Sequence, residues 1–225
     1  MPIPLKSKAL PAALALLLLA LGVPQMIDSI MWLRTGDASK QLETLSPESP
    51  EQLAANANLL EGADAWTGDP KARIRAGILR MHLAITSDNQ IDKDQLQSAI
   101  DDFTDGLSRA PANAYGWAAL SQALIDAGDP IKAKKALTTS ILIDDFDPQM
   151  NLWRCELGLL LWNNLDSDDR RLWNDQVRFA WDTQAQGLVT LARKNSDTYA
   201  VPIKLALISD PDRYQAFEKA FDQAR

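Results

Sequence analysis

The sequence predicts an all-α protein, in which helical hairpins stack into a solenoid that follows one N-terminal transmembrane helix. Only 10 of the 225 residues are glycine, whereas alanine and leucine are abundant, and this composition favours helices. Four Asp-Pro pairs supply helix starts, because aspartate is a good N-cap and proline is favoured at the first helical position. No segment shows the alternation of polar and apolar residues that is typical of a half-buried strand.

The N-terminal segment predicts a membrane anchor. Residues 9–27 carry no charge, and these 19 residues come close to the ~20 that cross a bilayer as a helix. Lys6 and Lys8 precede the segment, so the positive-inside rule places the N-terminus in the cytoplasm and the C-terminal domain outside it, in the periplasm of a Gram-negative bacterium. A cleaved signal peptide is the alternative, because Ala20 and Gly22 are small residues at the spacing of a cleavage site. The apolar run continues through Met26 and Ile27, which favours an uncleaved anchor.

The chain accordingly divides into three parts. Residues 1–30 form the anchor or signal peptide, residues 31–49 form a polar linker, and residues 50–225 form a helical repeat domain. Helices are predicted near residues 50–65, 70–86, 93–109, 114–127, 130–143, 148–163, 167–182, 184–193, 199–208 and 211–223. The connections are short, so neighbouring helices are expected to be antiparallel.

Charge and reactive residues exclude several classes of function. The formal net charge is −7, and an acidic chain lacks the lysines and arginines that bind nucleic-acid phosphates. Cys155 and His82 are the only residues of their types, so neither a disulfide nor a His/Cys metal cluster can form within the chain. Phosphate-loop, dinucleotide, serine-hydrolase and zinc-protease motifs are all missing from the sequence. The sequence therefore predicts no cofactor and no enzyme, although a two-carboxylate glycosidase stays open.

A repeated spacing of residues lies in the middle of the chain. Ala99, Phe103 and Gly106 are separated by four and three residues. The same spacings recur 34 residues later, at Ala133, Leu137 and Ser140. This pattern resembles the tetratricopeptide repeat, a helix-turn-helix unit of 34 residues.

Further residues of the second unit fall on or near the signature positions of that family, namely Trp117, Leu120, Leu124, Gly128 and Ala133. Two features depart from the family pattern. Ser121 stands where glycine is usual, and the first unit contains the insertion "TSDNQIDKDQ". The resemblance is clearest over residues 70–148, and it implies a solenoid whose inner groove binds protein partners.

Four of the seven tryptophans lie in the segment "LWRCELGLLLWNNLDSDDRRLWNDQVRFAW". On helices, Trp153 and Trp162 point to opposite sides, whereas Trp173 and Trp181 lie near one face. We expect a buried helix followed by an amphipathic one, with the indoles packed in the core. A partly exposed aromatic platform for sugar rings or a partner helix is the alternative.

Two acidic features of this region are expected to be structural. Glu156 interrupts the apolar run, and we expect it to pair with Arg154, Arg178 or Arg193. The acidic clusters at residues 144–147 and 166–169 lack the spacing of a calcium loop, so they are expected to serve as helix caps and turns.

A narrower resemblance rests on "RAPAN-x-x-x-W" followed by "R-x-ELGL-x-x-W-x-x-L" within residues 105–195. The chain resembles small membrane-anchored tetratricopeptide-like proteins that are encoded with exopolysaccharide biosynthesis and export genes in proteobacteria. The resemblance implies an accessory or scaffold role in envelope polysaccharide assembly, and it implies no catalytic residues.

These observations predict a non-enzymatic scaffold that is anchored in the inner membrane and binds proteins of the cell envelope. Tyr115, Ala118 and Gln122 are the predicted partner-binding groove, because they interleave with the packing positions of their helix. Two alternatives stay open: a protein that binds or modifies polysaccharide, and an accessory subunit of another membrane complex, such as a cytochrome-maturation or electron-transfer assembly.

Overall fold

The computed structural model describes residues 49–85 and 91–223. The predicted anchor, residues 31–48 of the linker and residues 86–90 of the insertion lie outside the described residues. The described part is all-helical, and its only β-type pairing is an isolated bridge between Ile85 and Ile91. None of its helices is long and apolar enough to cross a membrane.

Nine α-helices follow one another in this part of the chain. They are α1 (Pro50–Thr67), α2 (Pro70–Leu83), α3 (Lys93–Arg109), α4 (Ala114–Asp126), α5 (Pro130–Ile143), α6 (Pro148–Leu160), α7 (Ser167–Lys194), α8 (Ser196–Leu207) and α9 (Pro211–Gln223). The helix positions predicted from the sequence are confirmed within a few residues. The predicted helices 167–182 and 184–193 are the two segments of α7, which meet at a kink because Gln184 leaves helical geometry, at φ −144° and ψ 43°.

All four Asp-Pro pairs begin helices, as predicted. In each pair the proline is the first residue of the helix, and the aspartate accepts a hydrogen bond from a backbone N–H of the first turn. The capping aspartates are Asp69, Asp129, Asp147 and Asp210. The acidic cluster at residues 166–169 forms a capping box at the start of α7, which confirms its structural interpretation.

Each helix packs mainly on its neighbours in sequence, and small residues allow the close crossings. Gly77 lies under the ring of Phe103, where a Cβ atom would come within 3.0 Å of that ring. Gly106 faces the start of α2, where a Cβ atom would lie 3.0 Å from the carbonyl oxygen of Pro70. All six residues of the 34-residue repeat pattern are buried. The repeated spacing therefore marks core positions.

The tryptophan-rich segment forms the hairpin of α6 and α7. Trp173 is buried against Gly158, and its Nε1 donates to the carbonyl oxygen of Cys155 at 3.0 Å. Trp162 is partly buried and meets the Trp173 ring edge-on at 5.3 Å. The two other indoles are also partly buried, with Trp153 beside Tyr115 and Trp181 beside Phe217. The core-packing interpretation is thus confirmed fully for Trp173, and the other three rings pack against the core with one side exposed.

The expected arginine partner of Glu156 is wrong. Glu156 pairs with Lys194 near the end of α7, whereas Arg154 is fully buried on the other side of α6. Two residues along a helix differ by about 200° in direction, so Arg154 and Glu156 cannot share a face. The buried ionic residue of this helix is the arginine.

A layer of charges joins α1, α2 and α3. Asp102 of α3 has no exposed surface, and it lies 2.9 Å from both Arg73 and Arg80 of α2. Glu61 of α1 pairs with the same two arginines, and Asp64 of α1 pairs with Arg109. Burial raises the pKa of Asp102 to about 6, because the two arginines offset only part of the loss of water.

Candidate binding cleft

A cleft of about 590 Å³ opens where the start of α2 meets the α3–α4 and α5–α6 connections. Its lining combines charged, polar, aromatic and aliphatic groups. They include Lys71, Asn113, Tyr115, Asp144, Asp147 and Met150. A volume of this size accommodates several residues of a peptide or a small oligosaccharide.

The first wall is the loop before α4, and two hydrogen bonds fix it. Asn113 caps α4 by accepting from the backbone N–H of Gly116 at 2.7 Å, and Trp117 Nε1 donates to the carbonyl oxygen of Pro111 at 2.8 Å. Tyr115, the second residue of α4, is 46% exposed, and its ring lies 5.4 Å from that of Trp153 at an angle of 51°. The tyrosine ring is thus held in place on one side and open to the cleft on the other.

The second wall is the α5–α6 connection, which Arg154 holds from inside. Its guanidinium donates to the carbonyl oxygens of Ser140 and Asp144 and to Ser140 Oγ. Ser140 Oγ in turn donates to the carbonyl oxygen of Ala114 at 2.7 Å. This chain of hydrogen bonds ties the end of α5, the middle of α6 and the start of α4 together, so both walls rest on one buried network.

The charges in the cleft have both signs. Lys71 enters from α2, whereas Asp144 and Asp147 enter from the second wall, where Asp147 also caps α6. Burial lowers the pKa of Arg154, and nearby carboxylates, those of Asp144 and Asp147 foremost, oppose this shift. Burial raises the pKa of the Tyr115 phenol, so its hydroxyl stays protonated and can donate a hydrogen bond at neutral pH. The cleft offers hydrogen-bond donors, acceptors and an aromatic face.

The predicted groove residues occupy different environments. Tyr115 lines the cleft. Ala118 is fully buried, so its side chain offers no surface to a partner, and Gln122 donates to Asp126 at 3.0 Å. Ala118 and Gln122 do not belong to the lining of this cleft. A groove that runs through all three positions stays a prediction.

Several residues of the cleft were missed by the sequence interpretation. Lys71 and Asp144 are 73 positions apart, and no local pattern connects them. Arg154 was considered only as a partner of Glu156. Its own signal was its place in an apolar run, with Met150, Leu157 and Gly158 at helical spacing on the same side.

The reactive side chains do not gather into a second kind of site. In the described ranges, no group of three His, Cys, Asp or Glu residues is arranged to hold a metal ion. Cys155 is fully buried, and burial raises the pKa of its thiol, which keeps it in the unreactive protonated form. His82 lies on α2 with Nδ1 2.8 Å from the carbonyl oxygen of Ile78.

Comparison with known proteins gives no match: no family model, no curated protein and no solved structure is similar to this chain. What the protein does must therefore be inferred from its cleft, its helices and the patterns of its sequence.

Proposed function

We propose that the protein is a membrane-anchored, tetratricopeptide-like scaffold that binds a protein partner in its cleft, as an accessory to envelope polysaccharide assembly or export. It performs no chemistry of its own. The observation that carries the proposal is the open cleft of about 590 Å³, whose two walls are the equivalent ends of successive helical hairpins.

Equivalent contacts support the repeat architecture. Gly106 of α3 faces the carbonyl oxygen of Pro70, the first residue of α2, which a Cβ atom on residue 106 would approach to 3.0 Å. Ser140 Oγ of α5 donates to the carbonyl oxygen of Ala114, the first residue of α4. The first pair is 36 positions apart and the second is 26 apart. The difference of ten equals the length of the insertion "TSDNQIDKDQ". Once the insertion is set aside, equivalent positions of the two hairpins face each other.

The contacts of Ser121 explain the departure from the family pattern at that position. Ser121 is buried, and its Oγ donates to the carbonyl oxygen of Ala133 at 2.9 Å. Glycine at this position would allow the two helices of the unit to approach closely. Serine instead joins the two helices by a hydrogen bond. The substitution is compatible with a tetratricopeptide-like hairpin.

The ends of the hairpins are suited to bind an extended peptide. Tyr115 and Met150 provide apolar contact, while Lys71 and Asp147 provide charges of opposite sign about the same cleft. The uncharged residues 9–27 support the anchor, and the resemblance over residues 105–195 supports the link to exopolysaccharide genes.

Affinity purification from cross-linked membranes tests this proposal. The full chain should recover an envelope protein, and Tyr115→Ala should lose it because the variant removes the exposed ring from the cleft. Ile131→Ala is the matched control, since Ile131 is also an exposed apolar residue but lies outside the cleft lining. Recovery that is equal for the native chain and both variants would contradict the cleft as the partner site.

Carbohydrate binding is the second candidate, and the Tyr115 ring favours it. An aromatic face beside the carboxylates of Asp144 and Asp147 is the combination that stacks on a sugar ring and accepts from its hydroxyl groups. Trp153 lies 5.4 Å from Tyr115, so its fluorescence reports on the site. Titration with oligosaccharides of the cognate polymer should shift the emission of the native chain and leave that of Trp153→Phe unshifted. No shift with the native chain at saturating oligosaccharide would remove this candidate.

A further inference from the structure

The outward face of α1 is apolar although it is exposed. Ala55, Leu59, Gly62 and Trp66 follow one another at spacings of four, three and four residues, which is the spacing of a helix-packing seam. All four are exposed, with Leu59 at 47% and Trp66 at 71%. The opposite face of α1 is also apolar, because Ala57 and Leu60 pack against α2. A helix that is apolar on both faces is normally covered on both sides.

The carboxylates in the body of α1 all turn away from this seam. Glu61 pairs with Arg73 and Arg80, and Asp64 pairs with Arg109. The remaining acid, Glu51, lies in the first turn of the helix. The chain as a whole carries −7, so two copies repel each other over most of their surface. The uncharged seam is a surface on which they can meet without that cost.

We propose that the seam binds a second copy of this chain, with the two α1 helices antiparallel about a two-fold axis. In that arrangement Trp66 of each copy lies opposite Ala55 of its partner, and Leu59 lies opposite Gly62. Each large side chain then meets a small one. Gly62 has no side chain and therefore allows close approach of a second helix. The space beside it is open in the single chain, because a Cβ atom built on it meets nothing within 4 Å. A two-fold contact uses the same patch on both copies, so the patch must be complementary to itself. The alternation of large and small residues along the seam meets this requirement.

The size of the contact sets its strength. α1 has 18 residues and is therefore about 27 Å long, and one helix pair buries less than the about 800 Å² per partner of a standard interface. The pairing is therefore reversible in dilute solution. On the proposed function, the N-terminal anchor confines both copies to one membrane, which raises their effective concentration and favours the pair.

Cysteine cross-linking of the full chain in the membranes of expressing cells tests the pairing. Ala55→Cys and Trp66→Cys chains, expressed together, should form a disulfide-linked dimer. Either variant alone should form none, because identical positions are about 16 Å apart in an antiparallel pair. Native Cys155 is fully buried, so the native chain should form no disulfide-linked dimer and serves as the negative control. A dimer from Ala55→Cys alone would indicate a parallel pair, and no dimer in any combination would indicate no pair; either result overturns the proposal.

A second variant separates pairing from folding. Gly62→Glu has room in the single chain, so it should keep the melting temperature of the native protein and abolish the mixed cross-link. Leu205→Glu, at an exposed apolar position of α8, should keep the cross-link. An undiminished cross-link in Gly62→Glu would overturn the proposal. Quenching of Trp66 by a lipid-borne quencher, together with no cross-link, would assign the seam to the bilayer and would also overturn it.

Discussion

Nη2 of Arg154 donates to the carbonyl oxygen of Ser140 at 2.8 Å, and among the described residues no carboxylate forms an ion pair with this buried guanidinium. The cation instead binds the last carbonyl oxygens of α5, where the helix dipole is negative. Because Ser140 Oγ also donates to Ala114, the same contact fixes the start of α4. The wall of the cleft and the packing of three helices thus depend on one arginine.

Arg154→Met should lower the free energy of unfolding by about 3 kcal/mol. Methionine fills the volume but leaves two carbonyl oxygens, of which that of Ser140 is buried, and the buried Ser140 hydroxyl without their charged donor. Arg154→Lys should cost less, because an ammonium group can still bind one or two of these oxygens. Urea unfolding measures both values. Equal stability of the native chain and the methionine variant would show that the arginine is dispensable for the fold.

Gly158→Ala should destabilise the α6–α7 hairpin. A Cβ atom at residue 158 would come within 2.0 Å of the Trp173 ring, so the indole must move, at a cost of about 1–3 kcal/mol or more. Gly62→Ala is the matched control. It is also a helical glycine, but nothing lies within 4 Å of the added atom, and alanine should stabilise the helix by about 0.5–1 kcal/mol. Thermal unfolding with tryptophan emission checks the opposite signs, and shifts of the same sign would refute the packing of Trp173 on Gly158.

Asp102→Asn should change how stability depends on pH. The pKa of Asp102 is about 6 in the folded protein, against 3.8 for a free aspartate, so its protonated form favours the fold. This contribution is complete below the unfolded pKa and is lost as pH rises through about 6. As the pH falls from roughly 7.5 to 5, the free energy of unfolding of the native chain should therefore rise by about 1 kcal/mol relative to that of the asparagine variant. A native chain that instead loses stability against the variant on acidification would mean that Arg73 and Arg80 keep the carboxylate ionised.

Ala133→Leu should overpack the crossing between α4 and α5. Ala133 has no exposed surface, and its carbonyl oxygen accepts from Ser121 across that crossing. Three additional carbon atoms should cost about 1–3 kcal/mol. Lys135→Leu is the control on the exposed side of the same helix and should change stability by at most about 0.5 kcal/mol. Equal effects of the two changes on urea unfolding would rule out a buried role for residue 133.

Local signals explain what the sequence could predict. Aspartate caps and prolines at first helical positions act within one or two turns, so the helix positions followed from them. The 34-residue spacing marked equivalent positions of two hairpins, and the structure buries Phe103 and Leu137 there. The contrast between Arg154 and Glu156 could not be predicted this way. Both have apolar neighbours three and four positions away, and which of them is buried depends on the carbonyl oxygens that α5 presents.

The cleft and the predicted groove likewise depend on contacts between residues that are distant in the sequence, which local signals do not predict. Tyr115 was found because it interleaves with the packing positions of its helix, whereas Lys71 and Asp144 come together only at the cleft that both residues line. Ala118 was assigned to a surface although it is buried, because an alanine fits a core crossing as well as an exposed position.

Site-specific photo-cross-linking in living cells tests the central claim most directly. A benzophenone amino acid placed at residue 115 of the full chain should form one defined adduct with an envelope protein after irradiation. The same amino acid at Ile131, an exposed position away from the cleft, should not form that adduct. An adduct pattern that is identical at both positions, or no protein adduct at residue 115, would contradict a partner-binding cleft.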